Sequence, residues 1–264
     1  MTTASDMALP NSICYEYPLN EKIRILLRLE FLFQQVTQNA AEYSPWDSRL
    51  ALQGLFDIFG LIGRNEFKGE LLKELDRYAT SLYRLGQTPG VDTEKLNSIL
   101  QEIGQAITEI HNLDNATLET VRQNDFLGAV RQRNSIPGGT CPFDVPALHF
   151  WLRRSGTVRA HHIMAWLQPF QPLQNAVSLL LRLVRDSALP HWEVAAQGFY
   201  QKALDSTAPN QLVQIILPSE ASVFPIISGS KHRFSLRFME QPDPHQRPRQ
   251  AVEAIHFQLV CCII

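Results

Sequence analysis

From residue 20 to about residue 187 the apolar positions recur every three or four residues, and beyond Pro190 they recur every second residue. Ile25, Leu29, Leu32, Phe33 and Val36 predict the buried stripe of a long helix that Asn20 caps. Ser44-Pro45-Trp46-Asp47 is a start signal, with a capping hydroxyl, a proline at the first helical position and an acid in the first turn. The helix it opens runs to about Gly60, and Leu50, Leu52, Leu55, Phe56 and Phe59 make it apolar nearly all round, which predicts a central position. Asn65 opens the next, with Phe67, Leu71, Leu75, Tyr78, Leu82 and Leu85 along one seam and Gly86 at its end. After Pro89-Gly90 a helix capped by Asp92 carries Leu96, Ile99, Leu100, Ile103, Ile107 and Ile110, so these two seams form an antiparallel helical hairpin. Further helices are predicted over 115–134, 144–154 (capped by Asp144), 157–167 and 174–187, the last with Leu179, Leu180, Leu183 and Val184 turned inward.

The period of two then takes over. Val213, Ile215 and Leu217 alternate with less buried partners, and so do Phe234, Leu236 and Phe238, and Ile255, Phe257 and Leu259, which predicts strands with one wet face. Ser228-Gly229-Ser230 marks a hairpin turn, and 241–249, with three prolines, an exposed loop. Ile13–Tyr17 is a short β-prone run that can add to this sheet, while residues 1–12 are expected to be disordered. The fold class is therefore α+β: an N-terminal helical-bundle domain over 19–188, then an antiparallel β-sheet domain over 192–262 with strand 13–17 added.

Composition changes this picture little, but charge distribution does. The chain of 264 residues is 45% hydrophobic and carries a formal net charge of −2, which gives no overall attraction to polyanions. Within it, Glu66 to Glu119 holds ten acidic against five basic residues, whereas Arg122 to His162 holds six arginines against two aspartates, with three histidines besides. That segregation favours an anionic partner at the second segment. Four cysteines, two of them adjacent at 261 and 262, make no disulfide framework. Neither a secretory leader nor an apolar run of membrane-spanning length is visible, so a cytoplasmic location without membrane attachment is expected.

The densest cluster of unusual residues is Gly128–Leu152. Ile136-Pro137-Gly138-Gly139 is a stiff-then-permissive turn, led into by Arg131 and Arg133, and the helix after it carries His149 and is followed by Arg153 and Arg154. Planar guanidinium forks beside a rigid hinge suit carboxylates, and we read the cluster as a binding surface. Enzymatic chemistry finds less support. No phosphate-cradling glycine loop, H-E-x-x-H or C-x-x-C is present, so no cofactor or metal is expected. Cys141, Asp144 and His149 can be drawn as nucleophile, orienting acid and base, but residue type alone supports that triad; a thiol beside a turn, a helix cap and a surface histidine is the plainer reading, and no catalytic residue is assigned. Cys261-Cys262 read as the end of a strand packed into the sheet.

V-R-Q-R, S-I-P-G-G, C-P-F-D and P-A-L-H-F-W-L in this segment resemble the signature of the ZapD family of bacterial cell-division proteins. Tyr17–Lys22 with Arg28–Leu32, Glu70–Arg77, and Pro225–Gly229 through Met239 to Cys262 extend the resemblance over nearly the whole chain. It implies a non-enzymatic homodimer with a positively charged groove, which binds the C-terminal tail of the tubulin-like GTPase FtsZ at the mid-cell ring and cross-links its filaments into bundles. It also implies tail-binding roles for Arg28 and His149, and for the basic pair Arg131 and Arg133; local charge adds Arg24, Arg122 and Arg153. Three departures stand out: Asn124-Asp125 where a basic residue is expected, Thr140-Cys141 in place of two cysteines, and Ile263-Ile264 beyond the usual end. The rival from another class is a nucleic-acid-binding module using the same arginines; it lacks a motif and interleaved exposed aromatics, and the net charge opposes it.

Overall fold

The computed structural model describes residues 11–63, 66–205 and 207–263. A strand, β1 (Ser12–Pro18), precedes the helices α1 (Glu21–Ala41), α2 (Pro45–Ile62), α3 (Glu66–Leu85), α4 (Thr93–Asn112), α5 (Asn115–Arg122), α6 (Asp125–Asn134), α7 (Pro146–Leu152), α8 (Gly156–Leu167) and α9 (Gln171–Arg185). The strands β2 (His191–Ala195), β3 (Phe199–Ala203), β4 (Asn210–Pro218), β5 (Val223–Ser230), β6 (Arg233–Glu240), β7 (Arg249–Gln250) and β8 (Ile255–Ile263) follow. The fold is α+β. Two compact units divide it, Leu26–Leu180 and Met1–Ile25 with Leu181–Ile264.

Cap chemistry sets the helix starts in the helical unit. Ser44 Oγ accepts the Trp46 amide ahead of α2, Asp92 accepts the Lys95 amide ahead of α4, and Asp114 accepts the amides of Ala116 and Thr117 ahead of α5. Leu29, Phe33 and Val36 of α1 and Leu52, Leu55 and Ile58 of α2 are buried, and a Cβ on Gly54 would lie 2.9 Å from a Val36 methyl, so only glycine lets these two helices approach as closely as they do. Phe59 stacks on Phe170 at 5.3 Å. The seams of α3 and α4 meet through Leu71, Leu75, Tyr78, Ile103 and Ile110, while Leu50 on α2 and Leu85 at the end of α3 stand exposed, so neither pattern is as fully buried as expected.

Several local expectations change. The helical signal over 115–134 is two helices, broken where Asn124 caps α6 by accepting the Leu127 amide at 3.0 Å; Asn124-Asp125 thus serves helix initiation. Asp144 is no cap: α7 starts from Val145 with no side-chain cap, Pro146 at its first position, and the Asp144 carboxylate instead accepts the Cys141 thiol at 3.3 Å. Ser228–Ser230 belong to β5, and the two-residue turn falls at Lys231-His232, where Ser230 pairs with Arg233. Asn65, the expected first residue of α3, lies outside the described residues, as does most of the 1–12 segment; Ser12 already belongs to β1.

The other unit is built on two antiparallel sheets where the alternation had suggested one. The first has strand order β1-β4-β8-β2, the second β3-β6-β5 with β7 added beside β6. Val213, Ile215, Leu217, Phe257 and Leu259 from the first share a core with Phe234, Leu236 and Phe238 from the second, with Phe238 and Phe257 5.1 Å apart. Leu212, Val260 and Cys262 point to the opposite face of the first sheet and are buried as well. On that face Arg185 grips Glu16 with two 2.8 Å bonds, and Gln214 donates to the same carboxylate at 2.9 Å. Burial pushes the Cys262 thiol up to about 12, so the terminal cysteines are packing residues of β8.

Candidate functional site

The turn between α6 and α7 begins where the Gly139 amide donates to Ile136 O at 2.8 Å and the Cys141 amide to Gly138 O at 3.0 Å. Gly138 has φ +70, open to glycine at no steric cost, and a Cβ on Gly139 would meet Arg133 O at 2.4 Å. The turn is anchored from α2: Arg49 donates to Thr140 O at 3.1 Å and to Thr140 Oγ1 at 2.9 Å, and its guanidinium lies 5.4 Å from the Trp46 ring centroid. Burial holds Arg49 below its usual pKa, with the nearby Cys141 acting in the other direction.

Each predicted site residue has a definite environment. Arg28 on α1, Arg131 and Arg133 in the last turn of α6, His149 in the last turn of α7 and Arg153 just after it are all exposed. No ion pair engages these four arginines among the described residues. Arg24 and Arg122 differ. Arg24 donates to Glu21 at 3.1 Å and lies 6.0 Å from the Tyr17 ring, and Arg122 sits 3.7 Å from Glu119 with most of its side chain out of solvent. Arg24 also falls in the β-rich unit, the others in the helical one.

Hydrogen bonds tie two of the cation-bearing helices, α1 and α6, to α2. The outward stripe of α2 runs through Trp46, Leu50, Gln53 and Asp57, spaced three or four residues apart. Gln35 of α1 donates to Leu50 O at 3.0 Å on one side of this stripe, and Asn134 of α6 donates to Gln53 on the other. Arg28 is seven residues before Gln35, hence on the same face of α1 and about 10 Å along it. On α6 the buried edge is Leu127 and Val130, and a rotation of about 100° per residue sends Arg131 and Arg133 away on opposite sides of that edge rather than as a paired fork. His149 and Arg153 lie one turn apart, as do Phe150 and Arg154, whose guanidinium sits 5.3 Å from the Phe150 ring.

Three features escaped the reading from sequence. Arg159, counted among the basic residues of this segment, is only 3% exposed and wholly committed to internal acceptors, so the usable surface charge is smaller than the count. Phe143 and Phe150 are 84% and 66% exposed, so aromatics do interleave with the arginines; nothing in their residue type distinguishes them from core phenylalanines. Third, Trp46, Leu50, Leu52 and Phe56 of α2 face Val130 and Asn134 of α6 across a cleft of about 310 Å³, with Leu148 of α7 at its wall. The signal for it was the spacing of Trp46, Arg49 and Leu50, which puts all three on one side of α2. Catalysis gains no geometry here, because the acid needed to orient His149 is engaged by the thiol itself. Among the described residues no three His, Cys, Asp or Glu side chains come together to hold a metal, and no helix is long and apolar enough to cross a membrane.

The cell division protein ZapD of Methylococcus capsulatus is 41% identical over 256 residues, covering 97% of this chain and all of that protein. A family model described as ZapD, cell division protein, matches residues 27–237. The chain belongs to the ZapD family. Other ZapD proteins agree, that of Coxiella burnetii at 37% identity over 96% of this chain and 98% of its own length, and that of Azoarcus at 36% over 96% and 100%. The names of these ZapD proteins place them in cell division.

Proposed function

We propose that this chain is a cytoplasmic accessory protein of division that binds the C-terminal tail of FtsZ at the mid-cell ring and, as a homodimer, cross-links FtsZ filaments into bundles. The observation that carries this reading is the set of exposed cations, Arg28, Arg131, Arg133, His149 and Arg153, which no carboxylate of the described chain engages; α1 and α6, which carry the first three, are each hydrogen-bonded to α2. A carboxylate-bearing tail supplies the missing partners, each charge-assisted bond contributing roughly 1.5–3 kcal/mol before ordering costs. A disordered tail loses part of that on becoming fixed, so a single site is weak. Two sites on one dimer, facing filaments that display many tails, recover affinity through effective concentration, and bridging two filaments is bundling. Arg24 and Arg122, held by their own glutamates, contribute less.

Co-sedimentation with full-length and tail-less FtsZ filaments tests this. Arg28→Glu and Arg131→Glu abolish pelleting with full-length filaments while circular dichroism stays unchanged, Arg122→Ala stays within about twofold of the parent, and rising salt weakens binding steeply. Parent-like bundling by both charge reversals defeats the proposal. The exposed aromatics keep nucleic acid as the second reading; a gel shift at physiological salt that Arg131→Glu removes would favour it.

A further inference from the structure

A second cationic surface lies in the β-rich unit, on the outer face of the sheet β3-β6-β5. The register sets Gln201, Ser235 and Ser228 side by side across the three strands, and Ala203, Arg233 and Ser230 in the next row towards the β5–β6 turn. Opposed residues of antiparallel strands, and residues two apart along one strand, share a face, so the polar members of both rows point outward together. Phe234 between them turns its ring into the core and is only 2% exposed, so backbone forms the floor. The result is a hollow of about 450 Å³ lined by Gln201, Ser228, Gly229, Ser230, Arg233 and Ser235. Tyr17 steadies its β5 side, where the hydroxyl donates to Gly229 O at 3.4 Å and accepts the Gly229 amide at 3.3 Å.

The lining is a set of donors without a counter-charge. Among the described residues Arg233 enters no ion pair. The three strands carry a single carboxylate, Glu240, at the far end of β6 and about 23 Å along the strand from Arg233. Asp205, just past β3, is taken by the Thr207 amide and hydroxyl at 2.8 and 2.7 Å. Ser230 Oγ accepts the His232 amide at 3.4 Å and keeps its own proton to donate. A carboxylate would fill the guanidinium fork with its two oxygens and leave the hydroxyls and the amide unused. A phosphomonoester brings about −1.5 to −2 of charge and three acceptor oxygens, which matches the whole donor set. A phosphodiester brings less charge and fewer free oxygens, and a chain of net charge −2 has no overall pull on a polyanion. We propose that this hollow binds the phosphate of a small phosphomonoester, with Arg233 as its charged partner and Ser228, Ser230, Ser235 and Gln201 as neutral donors. The row on the other side, Phe199, Arg237 and Ile226, lies about 7 Å along the sheet from the row of Ser235 and receives the organic part, with Phe199 and Ile226 both exposed. The site is in the other unit from Arg28, Arg131, Arg133, His149 and Arg153 and does not depend on the tail-binding reading.

Isothermal titration calorimetry on the full chain at fixed ionic strength tests it, with inorganic phosphate, adenosine monophosphate, adenosine and a single-stranded oligonucleotide without terminal phosphates as the probes. Inorganic phosphate and adenosine monophosphate bind one per chain, the monophosphate more tightly, and adenosine gives no binding. Arg233→Gln, at an exposed position, weakens both about tenfold or more, and Ser235→Ala weakens both about fivefold. Arg237→Gln weakens adenosine monophosphate and leaves inorganic phosphate at the parent value. Circular dichroism that matches the parent assigns these losses to the site. Absence of binding by both phosphates at millimolar concentration overturns the proposal, and so does binding that Arg233→Gln and Ser235→Ala leave unchanged. An oligonucleotide that binds where adenosine monophosphate does not would make the face a nucleic-acid surface and overturn it as well.

Discussion

Arg159 Nε donates to Ser48 Oγ at 2.9 Å, and both side chains are buried. The rest of the guanidinium reaches Leu152 O at 3.2 Å and the carbonyls of Arg154 and Tyr43, so a buried cation is met by neutral oxygens from α2, from the chain entering α2 and from the end of α7. This fork orients the segment that bears His149 and Arg153. Arg159→Met leaves four acceptors without a donor and is expected to cost about 3 kcal/mol in urea denaturation. Arg159→Lys recovers only part of this, since one ammonium cannot span the same four oxygens. A loss below about 1 kcal/mol for Arg159→Met would show that water replaces the fork.

The two glycines of the turn after α6 have different reasons to be glycine, and substitution separates them. Gly138 needs its positive φ but has open space around it, so Gly138→Ala is expected to cost about 1 kcal/mol. Gly139 has an ordinary φ and no room: a Cβ there would sit 2.4 Å from Arg133 O and 2.8 Å from Ile136 Cβ. Gly139→Ala must move backbone and should cost about 2 kcal/mol or more, and it displaces Arg133 with it. Equal effects of the two substitutions on the urea midpoint would contradict this assignment.

Elements that depend on nearby residues were legible. The change from a period of three or four to a period of two falls where helices give way to strands, between Arg185 and His191, because burial of one helix stripe or one sheet face imposes it locally. Two packed sheets were not legible, since the order β1-β4-β8-β2 joins strands some two hundred residues apart and the hydrophobic outer positions Leu212, Val260 and Cys262 dilute the alternation. At the site the difference is the same. The engagement of Arg24 with Glu21 and of Arg122 with Glu119 could have been read from the three-residue spacing. The burial of Arg159 could not, because its acceptors are backbone carbonyls and a serine 111 positions away.

Glu16 makes stability depend on pH in a defined direction. Burial works against its charge, but the hydrogen bonds from Arg185 and Gln214 and the charge of Arg185 outweigh it, holding the carboxyl below its ordinary value of 4.5. A folded-state value below the unfolded one gives stabilisation that is complete above about pH 4.3–4.5 and disappears as pH falls through the lower, folded value. Glu16→Gln should therefore be less stable than the parent by about 2 kcal/mol near neutral pH, with the gap closing in the acid range as the parent's carboxylate takes up its proton. Urea midpoints of the two proteins across this range check it, and a gap that stays constant into strong acid would refute the assignment.

Cys141 separates binding from catalysis most sharply. Its thiol donates to Asp144 at 3.3 Å and the residue is half-buried, next to the Thr140 peptide that holds Arg49. A thiol is a weak donor even toward a carboxylate, so the bond contributes about 1 kcal/mol; on the binding proposal Cys141→Ala should lower stability slightly and leave co-sedimentation with FtsZ filaments at the parent level. Asp144→Ala removes the same bond from the other side, and the double substitution should cost no more than the larger single one. A thiol nucleophile predicts the opposite, complete loss of function in a folded Cys141→Ala protein, with Cys141→Ser keeping little. The two accounts differ because one needs the sulfur to form and break a bond, and the other needs only the volume it fills beside a turn whose neighbouring arginines meet the partner.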